Sequence, residues 1–201
     1  MVTCASVPVT STGVSIVMNG EIYNFKSLRQ TLVNLGHKFQ GTSDTEVVLR
    51  SYIQWKGDYL DKIEGMFAIA IWDPRAGEIL LSRDRFGQKP LYYIYTKELF
   101  AFSSEASALS KIFPQIAALN PEYLSNYLAH GYVNNNVDLF KTIHELPPSC
   151  FLSLHNGKIK IEKYWTYIKK FINKIIDKRR KRKIQRNFKQ NLSDLKMKKR
   201  L

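Results

Sequence analysis

Six consecutive apolar residues, Phe67-Ala68-Ile69-Ala70-Ile71-Trp72, constrain this chain more than any other stretch. A strand with one wet face alternates apolar and polar residues, and this run does not, so both of its faces are covered. Its flanks support a strand: Met66–Asp73 and Glu78–Asp84 enclose Pro74-Arg75-Ala76-Gly77, a hairpin signal. Leu91–Tyr95 and Leu99–Ser103 form a second hairpin across Thr96-Lys97. Cys150–His155 and Lys158–Tyr164 form a third around the turn pair Asn156-Gly157. Sheets covered on both faces, with helical segments beside them, predict a layered α+β fold.

The opening strand is read from Val14, Ile16 and Met18, and it runs into Asn19-Gly20-Glu21-Ile22-Tyr23-Asn24-Phe25. Asn-Gly is a turn dipeptide because both residues tolerate positive φ. A helix opens at Asn24, whose side chain is suited to cap the first free N–H groups. Strand, tight turn and capped helix leave backbone donors pointing into a site, which is what an oxyanion requires. By itself Asn-Gly signals only an ordinary strand-to-helix connection.

Further along, Leu28, Leu32, Val33 and Leu35 form a helical face, with Gly36 at the position of a left-handed C-cap. His37–Gln40 reads as extended. Ser43 or Asp44 caps a second helix whose apolar side is Val47, Val48, Tyr52 and Ile53, and Gly57 ends it. Ala106–Phe113 and Pro121–His130 read as helices, the latter with Pro in its first turn. Asn134–Asn136 is a loop. Residues 1–12 have no strong pattern and read as an irregular start.

Four strings occur in order: Asn19–Asn24 (NGEIYN), Thr42–Glu46 (TSDTE), Ser82–Tyr93 (SRDRFGQKPLYY) and Phe102–Glu105 (FSSE). The series resembles the class II glutamine amidotransferase domain of glutamine-hydrolysing asparagine synthetases, from about Val9 to Trp165. The resemblance sharpens the fold to a partial αββα four-layer sandwich of the N-terminal-nucleophile hydrolase type, spanning residues 13–165. In that family an N-terminal Cys attacks the glutamine amide, with its own α-amino group as base. The resemblance makes Asn19 a side-chain donor and Gly20 a backbone donor to the tetrahedral oxyanion. It places Glu21 against the substrate glutamine and Asp44 on that glutamine's α-ammonium group, alongside a helix-capping role for Asp44.

Other expected parts of the family pattern do not match. Family members begin Met-Cys-Gly-Ile, whereas this chain begins Met1-Val2-Thr3-Cys4. Cys4 lies too close in sequence to Asn19 to correspond to the nucleophile, and the Arg that holds the substrate carboxylate belongs to an unmatched segment. No Gly follows Gly157 to build the phosphate loop of a synthetase domain. ATP and magnesium, which serve the intact family through that domain, therefore have no site here, and no other cofactor is expected. The chain reads as a fragment truncated at both ends and inactive alone. Arg83, Asp84 and Arg85 read as a structural, ion-paired cluster. His37, His130, His144 and His155 have no ligand spacing, so no metal is expected.

Composition refines this picture at one point. The net charge is +14, yet residues 166–201 contain 15 Lys/Arg against 2 Asp/Glu. The tail is either a weakly ordered extension or an amphipathic helix through Ile184, Phe188, Leu192 and Leu195. An alternative reading follows, of a non-catalytic pseudo-amidotransferase that presents a nucleic-acid-binding tail. Two cysteines, Cys4 and Cys150, give no disulfide framework, and Cys150 reads as a buried small hydrophobe. No targeting segment or membrane span is visible, so a cytoplasmic protein is expected. Glutamine is the expected substrate. Without earlier strands beside it, Gly13–Met18 is expected to be an open edge through which the chain self-associates.

Overall fold

The computed structural model describes residues 5–7 (backbone only), 13–133 and 137–166. The chain divides into two units, Met1–Tyr164 and Trp165–Leu201. The readings of Cys4, of the loop Asn134–Asn136 and of the basic tail beyond Thr166 lie outside the described residues.

In the first unit the elements run β1 (Ala5–Val7), β2 (Ser15–Ile22), α1 (Phe25–Asn34), α2 (Asp44–Trp55), α3 (Tyr59–Lys62), β3 (Gly65–Asp73) and β4 (Glu78–Arg83). They continue with β5 (Tyr92–Tyr95), β6 (Phe100–Ser103), α4 (Ala106–Ile112), α5 (Pro121–His130), β7 (Ile143–Glu145), β8 (Cys150–His155) and β9 (Lys158–Lys163). One antiparallel sheet has the order β1-β2-β3-β4-β8-β9 and a second has the order β6-β5-β7.

The apolar run in β3 explains the layering. Phe67, Ile69 and Ile71 are buried with Leu28 and Leu32 of α1, Val47, Val48 and Tyr52 of α2, and Tyr59 and Leu60 of α3. Ala68 and Ala70, on the opposite face, join Leu81, Leu91, Tyr93 and Leu152 between the two sheets. Beyond the second sheet, Ile94 and Ile143 are buried with Leu109 of α4. Each fully buried Leu or Ile contributes about 1.5–3 kcal/mol relative to an exposed one. The layers are helix, sheet, sheet, helix, as expected.

Helix and hairpin signals behave as the local chemistry dictates. Gly36 (φ 90°) follows α1, and His37 N–H donates to Leu32 O while Gly36 N–H donates to Val33 O. That is a Schellman end. Asn120 caps α5 by accepting the Glu122 N–H, Pro121 follows, and Gly131 (φ 72°) closes the helix. Asn156 (φ 49°) and Gly157 (φ 69°) make the two-residue turn between β8 and β9.

Three readings are corrected. First, Asn19-Gly20 is not the turn: both lie inside β2, with Asn19 opposite Ala68 and Gly20 opposite Phe67, and the chain turns at Tyr23-Asn24. Second, the Asn24 side chain does not cap α1. Its Nδ2 donates to Lys62 O at 2.8 Å and its Oδ1 accepts from Glu64 N at 2.9 Å, clamping the approach to β3. Third, β2 is not an open edge. Residues Ala5–Val7, read as irregular, pair with Met18, Val17 and Ile16, while Val14 and Ile16 are buried by the helices. Elements α3 and β7 had no sequence signal strong enough to place them.

Candidate active site

Strand β2 sorts its side chains by face. Val14, Ile16, Met18 and Ile22 point into the helical layer, where they are buried. Val17 and Asn19 point the other way, into a cleft of about 210 Å3 between the sheets. Ala68, Ala70, Leu91, Phe102, Ser103 and Ser104 complete most of its lining. The cleft exists because Ala68 and Ala70 are small where Phe67, Ile69 and Ile71, on the other face, are large. The FSSE string thus comes to Asn19 through space, across more than eighty residues of sequence. Sequence reasoning assigned Ser103 and Ser104 no role. The small–large alternation inside the apolar run was the signal for the cleft.

Gly20 follows Asn19 in a conformation with φ 138°. A Cβ there would overlap the carbonyl oxygen of Met66. Gly65, opposite Ile22, is crowded in the same way by the Glu21 carbonyl. These two glycines let β2 and β3 approach closely at the end of the strand that bears the NGEI residues.

Asp44 reaches that same strand end. Its Oδ2 accepts the backbone N–H of Ile22 at 3.1 Å. The helix cap is Ser43, whose Oγ accepts from Thr45 N, so the capping role read for Asp44 belongs to its neighbour. Glu46, next in the TSDTE string, is buried and receives the N–H groups of Gln40 and Gly41, which shapes the loop leading into α2. Glu21 is exposed beside these groups and pairs with Met66 across the ladder. Neither Asp44 nor Glu21 lines the Asn19 cleft, so the structure brings the four predicted residues to one strand end rather than to one cavity wall.

The RDRFGQKP string is the scaffold under the cleft. Asp84 is fully buried and accepts four backbone N–H groups, from Phe86 and Gln88 on Oδ1 and from Lys89 and Phe67 on Oδ2. For Asp84 the backbone amides fold the loop around this carboxylate, while the ion pairing expected of the cluster is made by Arg83. Arg83 donates to the carbonyls of Lys89, Gly87 and Leu146 and meets Glu145 at 2.7 Å, joining the loop to β7. Tyr164 donates to Arg83 O, which anchors the last strand on the same support.

Cys150, at the start of β8, is buried between the sheets among Leu81, Leu91 and Leu152. Burial raises its thiol pKa, with Lys163 opposing the shift, so it is poorly suited to act as a nucleophile. Among the described residues no group of His, Cys, Asp and Glu is arranged to hold a metal ion.

Residues 5–165 match the glutamine amidotransferase domain model. The chain belongs to this family. The amidotransferase domain is 38% identical over 153 residues to asparagine synthetase [glutamine-hydrolyzing] 3 of Bacillus subtilis, a match covering 75% of this chain and 25% of that protein. It is 32% identical over 167 residues to a putative asparagine synthetase of Methanocaldococcus jannaschii, covering 82% of this chain and 32% of that one. The chain therefore spans a quarter to a third of the length of these relatives. A glutamine phosphoribosylpyrophosphate amidotransferase from B. subtilis superposes with a TM-score of 0.54 at 20% identity, over 83% of this chain and 32% of that one. That likeness establishes the fold: the domain has the N-terminal-nucleophile type of glutamine amidotransferase architecture.

Proposed function

We propose that this domain is the glutamine-binding part of a glutaminase site of the asparagine synthetase type. In such enzymes the ammonia released from glutamine goes to ATP-activated aspartate, yielding asparagine and glutamate. The observation that most supports this is the cleft between the sheets, where Asn19 stands beside Ser103 and Ser104 while Asp44 is tied to the end of the same strand. On this reading Asn19 and Gly20 donate to the oxyanion, each such donor lowering the barrier by about 3 kcal/mol. Glu21 and Asp44 hold the substrate's amino-acid end.

Hydrolysis also needs an activated thiol at the cleft. Cys150 does not supply one, because it is buried in the apolar layer. The chain by itself is then a binding domain with negligible turnover. Calorimetric titration with glutamine, and glutamate release by the purified chain and its Cys4→Ala and Cys150→Ala variants, test both statements. Glutamine binding that Asn19→Ala weakens, with no glutamate released, is the expected result. Failure to bind glutamine would overturn the reading. Turnover that Cys4→Ala abolishes would instead show that Cys4 serves the cleft.

A further inference from the structure

A second cavity, of about 380 Å3, lies on the opposite face of the β6-β5-β7 sheet from the Asn19 cleft. Its walls come from β5, α4, α5 and β7, with Tyr132, Val133 and residues 137–140 beside them. Four tyrosines, Tyr92, Tyr123, Tyr127 and Tyr132, line it together with the carboxylate residues Asp138 and Glu145. No residue of α5 is buried, so core packing does not account for Tyr123 and Tyr127. Tyr127 is 53% exposed and Tyr132 is 70% exposed, yet both belong to the cavity wall.

The charges of the described residues there are unbalanced. Glu145 Oε1 meets Arg83 Nη1 at 2.7 Å, and Arg83 also donates to three carbonyls. Asp138 accepts the Glu145 N–H on Oδ1 at 3.0 Å, and its Oδ2 lies 2.9 Å from His144 Nδ1. Among the described residues two carboxylates thus share one permanent cation, the Arg83 guanidinium. Tyr92 reflects the same environment: burial pushes its hydroxyl pKa up first, Glu145 adds to the shift, Arg83 partly opposes it, and Asp138 and Tyr123 add further.

Aromatic rings have electron-rich faces that attract cations, and a nearby carboxylate strengthens the attraction where water is partly excluded. We propose that this cavity binds a small organic monocation of the alkylammonium class, held by its tyrosine rings and by Asp138 and Glu145. The site is separate from the glutamine cleft and does not depend on how that cleft works.

Calorimetry on the full chain with choline chloride, against its uncharged isostere 3,3-dimethylbutan-1-ol and against sodium chloride, tests the proposal. Choline is expected to bind at least about tenfold more tightly than the alcohol. Asp138→Asn and Tyr127→Ala should each weaken choline about tenfold, whereas Tyr127→Phe, which keeps the ring, should not. Thermal melts of the three variants confirm that each is folded before its affinity is compared. Equal affinity for choline and the alcohol would reduce the cavity to an apolar pocket and overturn the proposal. Absence of choline binding, or wild-type affinity in Asp138→Asn and Tyr127→Ala, would overturn it as well.

Discussion

The carboxylate of Asp44 accepts the backbone N–H of Ile22 at 3.1 Å, joining the first residue of α2 to the last residue of β2. The contact spans 22 residues of sequence and sets where α2 begins relative to the Asn19 cleft. Asp44→Ala removes the acceptor and leaves a buried donor unpartnered, which costs about 1–3 kcal/mol. Asp44→Asn keeps an acceptor oxygen and should cost less than about 1 kcal/mol. Urea unfolding reads the stability of both, and glutamine titration reads their affinity. If Asp44 also holds the substrate ammonium group, Asp44→Asn weakens glutamine while the domain stays nearly as stable. Equal losses of both properties in the two variants would confine Asp44 to a structural role.

Gly20→Ala should be among the most damaging single changes in the domain. The new Cβ overlaps the Met66 carbonyl, and φ 138° is unfavourable for any L side chain. The loss expected is more than about 3 kcal/mol. A thermal melt within a few degrees of the parent would mean that β2 and β3 can move apart at this point.

Asp84→Ala leaves four N–H groups of the 84–89 loop and β3 without their shared acceptor. At about 1–3 kcal/mol for each buried unsatisfied donor, a loss of several kcal/mol is expected even after water relieves part of it. Hydrogen exchange at Phe86, Gln88 and Lys89 should rise in this variant before global unfolding. Unchanged protection there would show that the loop holds itself without the carboxylate.

Asp73, fully buried at the end of β3, governs the acid limb of stability. A hydrogen bond from Arg75 is the largest influence on it; burial opposes, and Lys56 adds a second hydrogen bond, so its pKa falls well below the ordinary carboxylate range. A carboxylate with a depressed folded-state pKa contributes stability above its unfolded value of about 3.9. That contribution is lost as pH falls from there through the lower folded value. Unfolding measured from pH 6 down to pH 2 should therefore show a steeper acid loss in the parent than in Asp73→Asn. Parallel curves for the two proteins would exclude Asp73 as the source.

Much of the fold is legible because local chemistry set it without competition. The Schellman end at Gly36, the Pro121 start of α5 and the Asn156-Gly157 turn use contacts a few residues apart. The non-alternating run in β3 announced two covered faces for the same reason: its own side chains state what each face touches. Where a side chain had a choice, the sequence misled. Asn24 is chemically able to cap α1, yet it binds Lys62 and Glu64, because the chain 38 to 40 residues later passes within reach. Asp84 was read as an ion-pair partner beside two arginines, but its loop wraps backbone amides around it first.

The sequence by itself determined the layered class, the family and the strand Val14–Met18 that leads into Asn19, since these depend on periodicity and on residue strings that survive without coordinates. Only the tertiary structure decided that Asn19-Gly20 lies within a strand, that Ser103 and Ser104 stand beside Asn19, and that Asp44 grips Ile22. Short elements such as α3 and β7 also waited for it, because three or four residues bury too little surface to declare themselves. Each of these outcomes is a close approach between segments far apart in the chain. Such approaches follow from how the layers pack, through the small side chains of Ala68 and Ala70 and the missing ones of Gly20 and Gly65, and no local pattern encodes their distance.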